Sequence, residues 1–194
     1  MTSKGHIDFW FSMGSTYTYL SVMRLPSVQQ ATGIEFRWRP FYLAKLFQET
    51  SYHPFAGKPA KTAYMWRDIQ RRAGVPLLVP APYPSKQTPL ANRVAYLGLR
   101  DGWGEEFVRA SYRRWFHNGG VANGEEPNLS ASLREAGQDP LSILDLAAKP
   151  ATDEALEAET SAARTLGICG APTFVVGGEL FWGDDRLEDA VTWH

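Results

Sequence analysis

Strand-forming patterns lie near the two ends of this 194-residue chain, with a long stretch between them that carries none. Near the start, Ile7, Phe9 and Phe11 are apolar and Trp10 among them is aromatic, the pattern of an inner strand covered on both faces. Gly14-Ser15 supplies a turn, and a helix is predicted over 16–32 with Leu20, Met23, Val28 and Ala31 as apolar positions and Gly33 as its stop. Pro26 lies inside that helix and is expected to kink or divide it. Ile34, Phe36 and Trp38 alternate with Glu35, Arg37 and Arg39, the period of a second strand, which Pro40 closes. Helical patterns then follow at 41–49, 60–73, 90–100, 104–117, 129–136, 140–147 and 151–166, interrupted at 75–89 by Pro76, Pro80, Pro82, Pro84 and Pro89. Strands resume only at 173–176 and 179–182, joined by Gly177-Gly178 in the manner of a β-hairpin. Asp184-Asp185 opens a last helix through Leu187, Ala190 and Val191, with its acids at the positive end of the dipole.

The order β-α-β, helical block, α-β-β-α is that of an α/β thioredoxin fold with a large all-helical insertion. The expected division is a thioredoxin-like domain from 1–40 and 151–194, and an insertion domain at 41–150 that does not stand alone. A net charge of −1 gives no support for nucleic acid or an anionic membrane as partner. The single cysteine, Cys169, excludes an intramolecular disulfide and a cysteine zinc site. The four histidines are scattered without metal-ligand spacing, so no metal is expected. No apolar run approaches the ~20 residues of a membrane span, and 1–6 lacks a signal-peptide core. A cytoplasmic protein is the expectation.

In a thioredoxin-type oxidoreductase, the first strand leads into Cys-x-x-Cys at a helix start, where the dipole lowers a thiol pKa. The corresponding quartet here is Ser15-Thr16-Tyr17-Thr18, so dithiol exchange has no sulfur to run on. Ser15 has two readings: a plain N-cap, or a hydroxyl that donates to a thiolate arriving from outside. Gly170-Ala171-Pro172-Thr173 stands just before a strand, where this fold usually places a cis proline beside the helix start. The Ala171 backbone could then pair with an extended ligand as an added strand; the alternative is an ordinary proline preceding a strand.

Five segments in order resemble the 2-hydroxychromene-2-carboxylate isomerase family, a close relation of kappa-class glutathione transferases. They are 7–20 (Ile-Asp-Phe-Trp-Phe…Gly-Ser-Thr-Tyr-Thr-Tyr-Leu), Trp-Arg-Pro-Phe-Tyr-Leu at 38–43, Pro-Ala-Lys…Tyr-Met…Asp at 59–68, Gly-Ala-Pro-Thr-Phe-Val-Val at 170–176 and Phe-Trp-Gly-Asp-Asp-Arg-Leu at 181–187. The resemblance implies a DsbA-like thioredoxin fold and the use of glutathione. It implies that Ser15 holds the glutathione sulfur and that Ala171, before Pro172, pairs with the cysteinyl backbone. Asp184 and Asp185 would meet the γ-glutamyl ammonium or cap the last helix, Lys61 would lie near the glycyl end, and Trp182 would line the site. The chain departs from the family pattern in three places. Thr16 replaces a proline, Thr50-Ser51-Tyr52-His53 replaces Thr-Gly-Asn so that Tyr52 or His53 neighbours the lost asparagine, and Cys169 takes an often apolar position and is expected to be a buried small hydrophobe.

The function implied is a glutathione-dependent isomerase acting on a small aromatic ketoacid, with a homodimer plausible by family likeness. Phe41, Tyr42, Tyr64, Tyr83 and Tyr96 either wall the aromatic pocket or serve packing alone. The rival readings are a kappa-like transferase or peroxidase, which needs the same thiolate, and a non-enzymatic thioredoxin-like binding module.

Overall fold

A computed structural model of the chain describes residues 5–52, 54–117 and 120–194. Strand β1 (Ile7–Phe11) is followed by α1 (Thr18–Thr32), β2 (Phe36–Pro40) and α2 (Leu43–Glu49). The helical block continues with α3 (Pro59–Ala73), α4 (Thr88–Asp101), α5 (Gly104–Phe116), α6 (Asn128–Glu135) and α7 (Pro140–Ala148). Helix α8 (Pro150–Thr165) leads back to β3 (Thr173–Val176) and β4 (Glu179–Trp182). A 3-10 turn at Asp184–Arg186 and α9 (Leu187–Trp193) complete the chain. The sheet order is β2-β1-β3-β4, with β1 parallel to β2 and the other two pairings antiparallel. This is the thioredoxin fold with a helical insertion, as the order of elements implied.

The alternation in β1 builds two layers. Ile7, Phe9 and Phe11 face the main core, where Phe9 stacks on Phe11 and Phe174 and meets Trp38 edge-on. Truncating a fully buried phenylalanine of this kind costs about 3–5 kcal/mol. Trp10 faces the other way, into a smaller cluster with Phe41, Leu46, Ala163, Ile168 and Val175 under α8. Both faces of β1 are therefore covered, as its composition predicts. Asp8, the one polar residue of the strand, takes a two-pronged bond from Arg37 on β2, at 2.5 and 2.8 Å.

Several boundaries differ from the sequence reading. Helix α1 runs unbroken through Pro26 and does not divide there. It begins at Thr18, because Thr16 and Tyr17 form a tight first turn whose amides are followed by i to i−3 bonds. Strand β2 contains Pro40 and excludes Ile34; β2 is an edge strand, where a missing N–H breaks no ladder. The last helix starts at Leu187, with Asp184–Arg186 in the preceding 3-10 turn. Gly177 and Gly178 both have positive φ (58° and 96°), which is what the two-residue hairpin between β3 and β4 requires. Cys169 is exposed, against the expectation of a buried hydrophobe: Ile168 takes the inward place beside it. Among the described residues no helix is long and apolar enough to cross a membrane, and no group of three or more acids, histidines and cysteines could hold a metal ion.

Candidate active site

The turn after β1 is held from three sides by the helical insertion. The Met13 N–H donates to Asn92 Oδ1 at 2.8 Å, and Asn123 Nδ2 donates to the Met13 carbonyl at 2.7 Å. The Tyr112 hydroxyl lies 2.9 Å from the Ser15 carbonyl, 3.1 Å from that of Ser12 and 3.3 Å from that of Met13. Ser111 Oγ donates to Asn123 Oδ1 at 2.8 Å and so fixes which way that amide points. All four side chains are buried. Gly14 sits against Thr88, where a Cβ would approach the threonine methyl to 2.8 Å; only glycine fits the turn as it is packed.

This scaffold delivers Ser15 to the start of α1. Its Oγ accepts the Thr18 N–H at 3.3 Å, the geometry of an N-cap, and donates to the Ala171 carbonyl at 2.8 Å. The two sequence features singled out, 156 residues apart, thus meet directly. The Ala171–Pro172 bond is cis, as expected of this position. Ser15 is 9% exposed. The Thr16 and Tyr17 amides have no backbone acceptor among the described residues. A hydroxyl and two N–H groups without a backbone acceptor thus stand at the positive end of a 15-residue helix, where an anion would be stabilised.

The rim beside Ala171 comes from β4 and the turn after it. The Trp182 indole lies against Gly170, in space that a Cβ there would fill, and is 59% exposed. The Gly183 N–H donates to the Pro172 carbonyl at 2.9 Å. Gly183 has a φ of +113°, and the Asp185 carboxylate folds back over it. Trp182 and Asp185 are thereby brought to the edge that carries Ala171 and Pro172. Asp184 is turned inward instead: 2% exposed, it accepts from Ser21 Oγ (2.9 Å), Arg24 (3.1 Å) and Arg72 (2.6 Å). Its carboxylate is committed to α1 and α3, so of the two acids read from sequence only Asp185 faces outward.

Helix α3 forms the opposite side. Thr16 Oγ1 donates to Met65 Sδ at 3.0 Å, and the Tyr17 hydroxyl donates to Asp68 at 3.1 Å. Burial, with Asp68 adding to it, pushes the Tyr17 phenol up to about 12, so it stays a donor at neutral pH. Lys61 precedes Met65 by one helical turn on the same stripe as Asp68 and Arg72, which places it toward the start of α1. Its ammonium is 3.5 Å from the Tyr52 hydroxyl and 5.4 Å from the centre of the Phe55 ring. Tyr52 is thus beside Lys61, in the neighbourhood of the asparagine the family pattern would place there; His53 lies outside the described residues.

Of the five aromatic residues read as pocket wall or packing, four are buried or part-buried. Phe41 and Tyr42 are buried, Phe41 against Trp10, and Tyr42 bonded to Asp153 and Thr160. Tyr83 packs on Phe55 and Trp66. Tyr64 alone of the five is largely open to solvent. A cleft of about 760 Å³ lies on the flank of α3 formed by Thr62, Trp66 and Gln70, and none of Ser15, Ala171, Trp182 or Asp185 lines it. Sequence reasoning missed Asn92, Tyr112 and Asn123; Asn92 and Tyr112 carry polar groups among the apolar positions of α4 and α5, whereas Asn123, between α5 and α6, gave no signal.

The fold and the site define a class. The DSBA-like thioredoxin domain model matches residues 6–192, and the chain belongs to that family. Within it, the chain is similar to the 2-hydroxychromene-2-carboxylate isomerase of Sphingobium xenophagum, at 27% identity over 187 residues and 94% of each chain. A solved 2-hydroxychromene-2-carboxylate isomerase superposes with a TM-score of 0.84 at 26% identity, covering 96% of this chain and 93% of the other. Over a shorter 84-residue stretch, 41% of this chain and 37% of the relative, it is 31% identical to Glutathione S-transferase kappa 1 of Caenorhabditis elegans. The cytosolic disulfide reductase DsbM of Pseudomonas aeruginosa, solved with GSH, shares the fold at a TM-score of 0.66 and 15% identity, covering 97% of this chain and 95% of DsbM.

Proposed function

We propose that this protein is a glutathione-dependent isomerase of 2-hydroxychromene-2-carboxylate or a similar aromatic ketoacid, working in aromatic-compound catabolism in the cytoplasm. The observation that carries the reading is the Ser15 hydroxyl at the start of α1, within 2.8 Å of the carbonyl that precedes a cis proline, with no cysteine in the motif. The residues present fit glutathione: two open amides and a hydroxyl for a sulfur anion, a backbone edge at Ala171 and Pro172 for the cysteinyl unit, the Asp185 carboxylate for an ammonium and Lys61 for a carboxylate.

When bound, glutathione would supply a thiolate for reversible addition to a conjugated carbon, the chemistry that would let a double bond rotate. The protein's part is electrostatic and geometric. Ser15 and the first turn of α1 favour the ionised sulfur. Trp182 and Tyr64, the exposed rings on the two sides of the site, offer flat surfaces for an aromatic acid. The hydroxyls at 15 and 18 exclude a competing internal disulfide. The match to the kappa transferase supports a second reading, in which an electrophile keeps the glutathione.

Calorimetry with glutathione and parallel assays with the chromene carboxylate and with chlorodinitrobenzene test both. Isomerisation that needs catalytic glutathione and falls by about 10²-fold or more in Ser15→Ala is the expected result. Stoichiometric glutathione consumption would favour the transferase, and absence of glutathione binding would sink both. We also propose a homodimer, which sedimentation would check, on family likeness alone.

A further inference from the structure

The Ser15 hydroxyl has one proton, and it already has a place. Oγ accepts from the Thr18 N–H at 3.3 Å and donates to the Ala171 carbonyl at 2.8 Å. The oxygen is fixed by its capping bond, so the O–H can turn toward a sulfur only by leaving Ala171. The neighbouring carbonyls offer no alternative role in this exchange. Gly170 O is taken by the Thr173 hydroxyl at 2.9 Å, and Pro172 O by the Gly183 N–H at 2.9 Å. Of the three, only the Ala171 carbonyl is held by the group that would have to serve the ligand.

We propose that Ser15 is a donor in reserve, released to a bound sulfur when the ligand's own amide N–H takes its place on the Ala171 carbonyl. This rests on the reading of the site as a glutathione site, and it sets the class of thiol the protein can activate. A thiol that carries an N–H next to its sulfur-bearing residue pairs with Ala171 as a strand would, and the hydroxyl turns to the sulfur with no carbonyl left unpaired. The thiol proton leaves to solvent, and the Ser15 proton is shared with the resulting thiolate in a charge-assisted bond. A thiol without that N–H must either leave the part-buried Ala171 carbonyl unpaired or leave Ser15 where it is, and the penalty offsets the gain. The site therefore discriminates cysteinyl peptides from simple thiols by ionisation, over and above binding.

The test compares glutathione with its ester analogue, in which 3-mercaptolactate replaces cysteine and an oxygen stands where the cysteinyl N–H was. With the protein saturated in each, the ultraviolet absorbance of the thiolate gives the bound thiol's ionisation. The expected result is a rise of roughly tenfold or more in the ionisation constant of bound glutathione, one pKa unit, and less than half that shift for the ester. Ser15→Ala should bind glutathione with little shift. An equal shift for both ligands overturns the coupling while leaving the glutathione reading intact; failure of glutathione to bind, or to shift at all, overturns both. A second measurement needs only glutathione: in a neutron structure of the complex, the Ser15 hydroxyl proton should point at the sulfur and the cysteinyl N–H at Ala171 O, and a hydroxyl proton still directed at Ala171 O overturns the proposal.

Discussion

Asp184 and Asp185 are adjacent in sequence and opposite in environment, so their substitutions should separate. Asp184 is enclosed by Ser21, Arg24 and Arg72. Removing its charge leaves two guanidinium groups facing each other across a buried gap. Asp184→Asn is expected to lower stability by about 2–3 kcal/mol, toward the low end for a broken buried pair because both arginines reach solvent. Asp185, more than half exposed, pairs among the described residues only with its neighbour Arg186. Asp185→Ala should leave the urea midpoint within ~0.5 kcal/mol of the parent. In calorimetry it should weaken glutathione binding by roughly 1–3 kcal/mol if it meets the ammonium. The reverse assignment, with affinity lost on Asp184→Asn in a protein of unchanged stability, would refute this division of roles. Ser15, Ala171 and Pro172 were legible in the sequence because strand-turn-helix and pre-strand proline are local patterns. The inward turn of Asp184 was not, since it depends on arginines 160 and 112 residues away.

At the scale of elements, α4 and α5 act as the clamp on the turn that carries Ser15. The Tyr112 hydroxyl lies close to three carbonyls of that turn. Tyr112→Phe keeps the ring stacked on Trp115 and removes only the donor. It should lower stability by about 1–3 kcal/mol in urea unfolding. An unaltered midpoint would mean that the turn holds its shape without the insertion. The end of α5 gives a pH dependence. His117 caps it and lies 2.7 Å from the Tyr19 hydroxyl. Burial, with Arg113 adding to it, holds the His117 imidazole below its ordinary value, against the raising influence of the Pro76 backbone. Between the folded value and about 6.5 the unfolded chain binds more protons, so stability rises with pH. The contribution is full above about pH 6.5 and is lost as pH falls through the folded value. His117→Gln should flatten that acid limb in urea midpoints measured across the window; an unchanged slope would assign the loss to other groups. The helices themselves were readable from periodicity and from their glycine and proline stops. Their mutual contacts were not, because Asn92, Tyr112 and Asn123 reach residues 79 to 110 positions earlier, a separation over which no sequence pattern runs.

For the molecule as a whole, one question is whether the sheet and the inserted helices are separable. The chain order suggested a thioredoxin-like part at 1–40 and 151–194 with a block between, but the packing joins them. Phe9, Phe11 and Trp38 of the sheet share one buried cluster with Phe107, Tyr112 and Leu129 of the inserted helices. Three polar ties run to α3 from the turn before α1 and the 3-10 turn before α9: Thr16 to Met65, Tyr17 to Asp68 and Asp184 to Arg72. A core shared in this way has no cheap partial opening, because parting the insertion from the sheet exposes the apolar face of β1 and unpairs Met13 and Ser15. Urea unfolding should therefore be a single transition, with near-ultraviolet dichroism from the tryptophans and far-ultraviolet dichroism from the helices superimposable. The complementary experiment joins residue 40 to residue 151 by a short glycine-serine linker. That chain keeps all four strands yet lacks the cover over Ile7, Phe9 and Phe11, and it should show no cooperative thermal transition. A folded four-stranded product, or two resolved transitions in the parent, would show that the insertion is a separate unit resting on a sheet that does not need it.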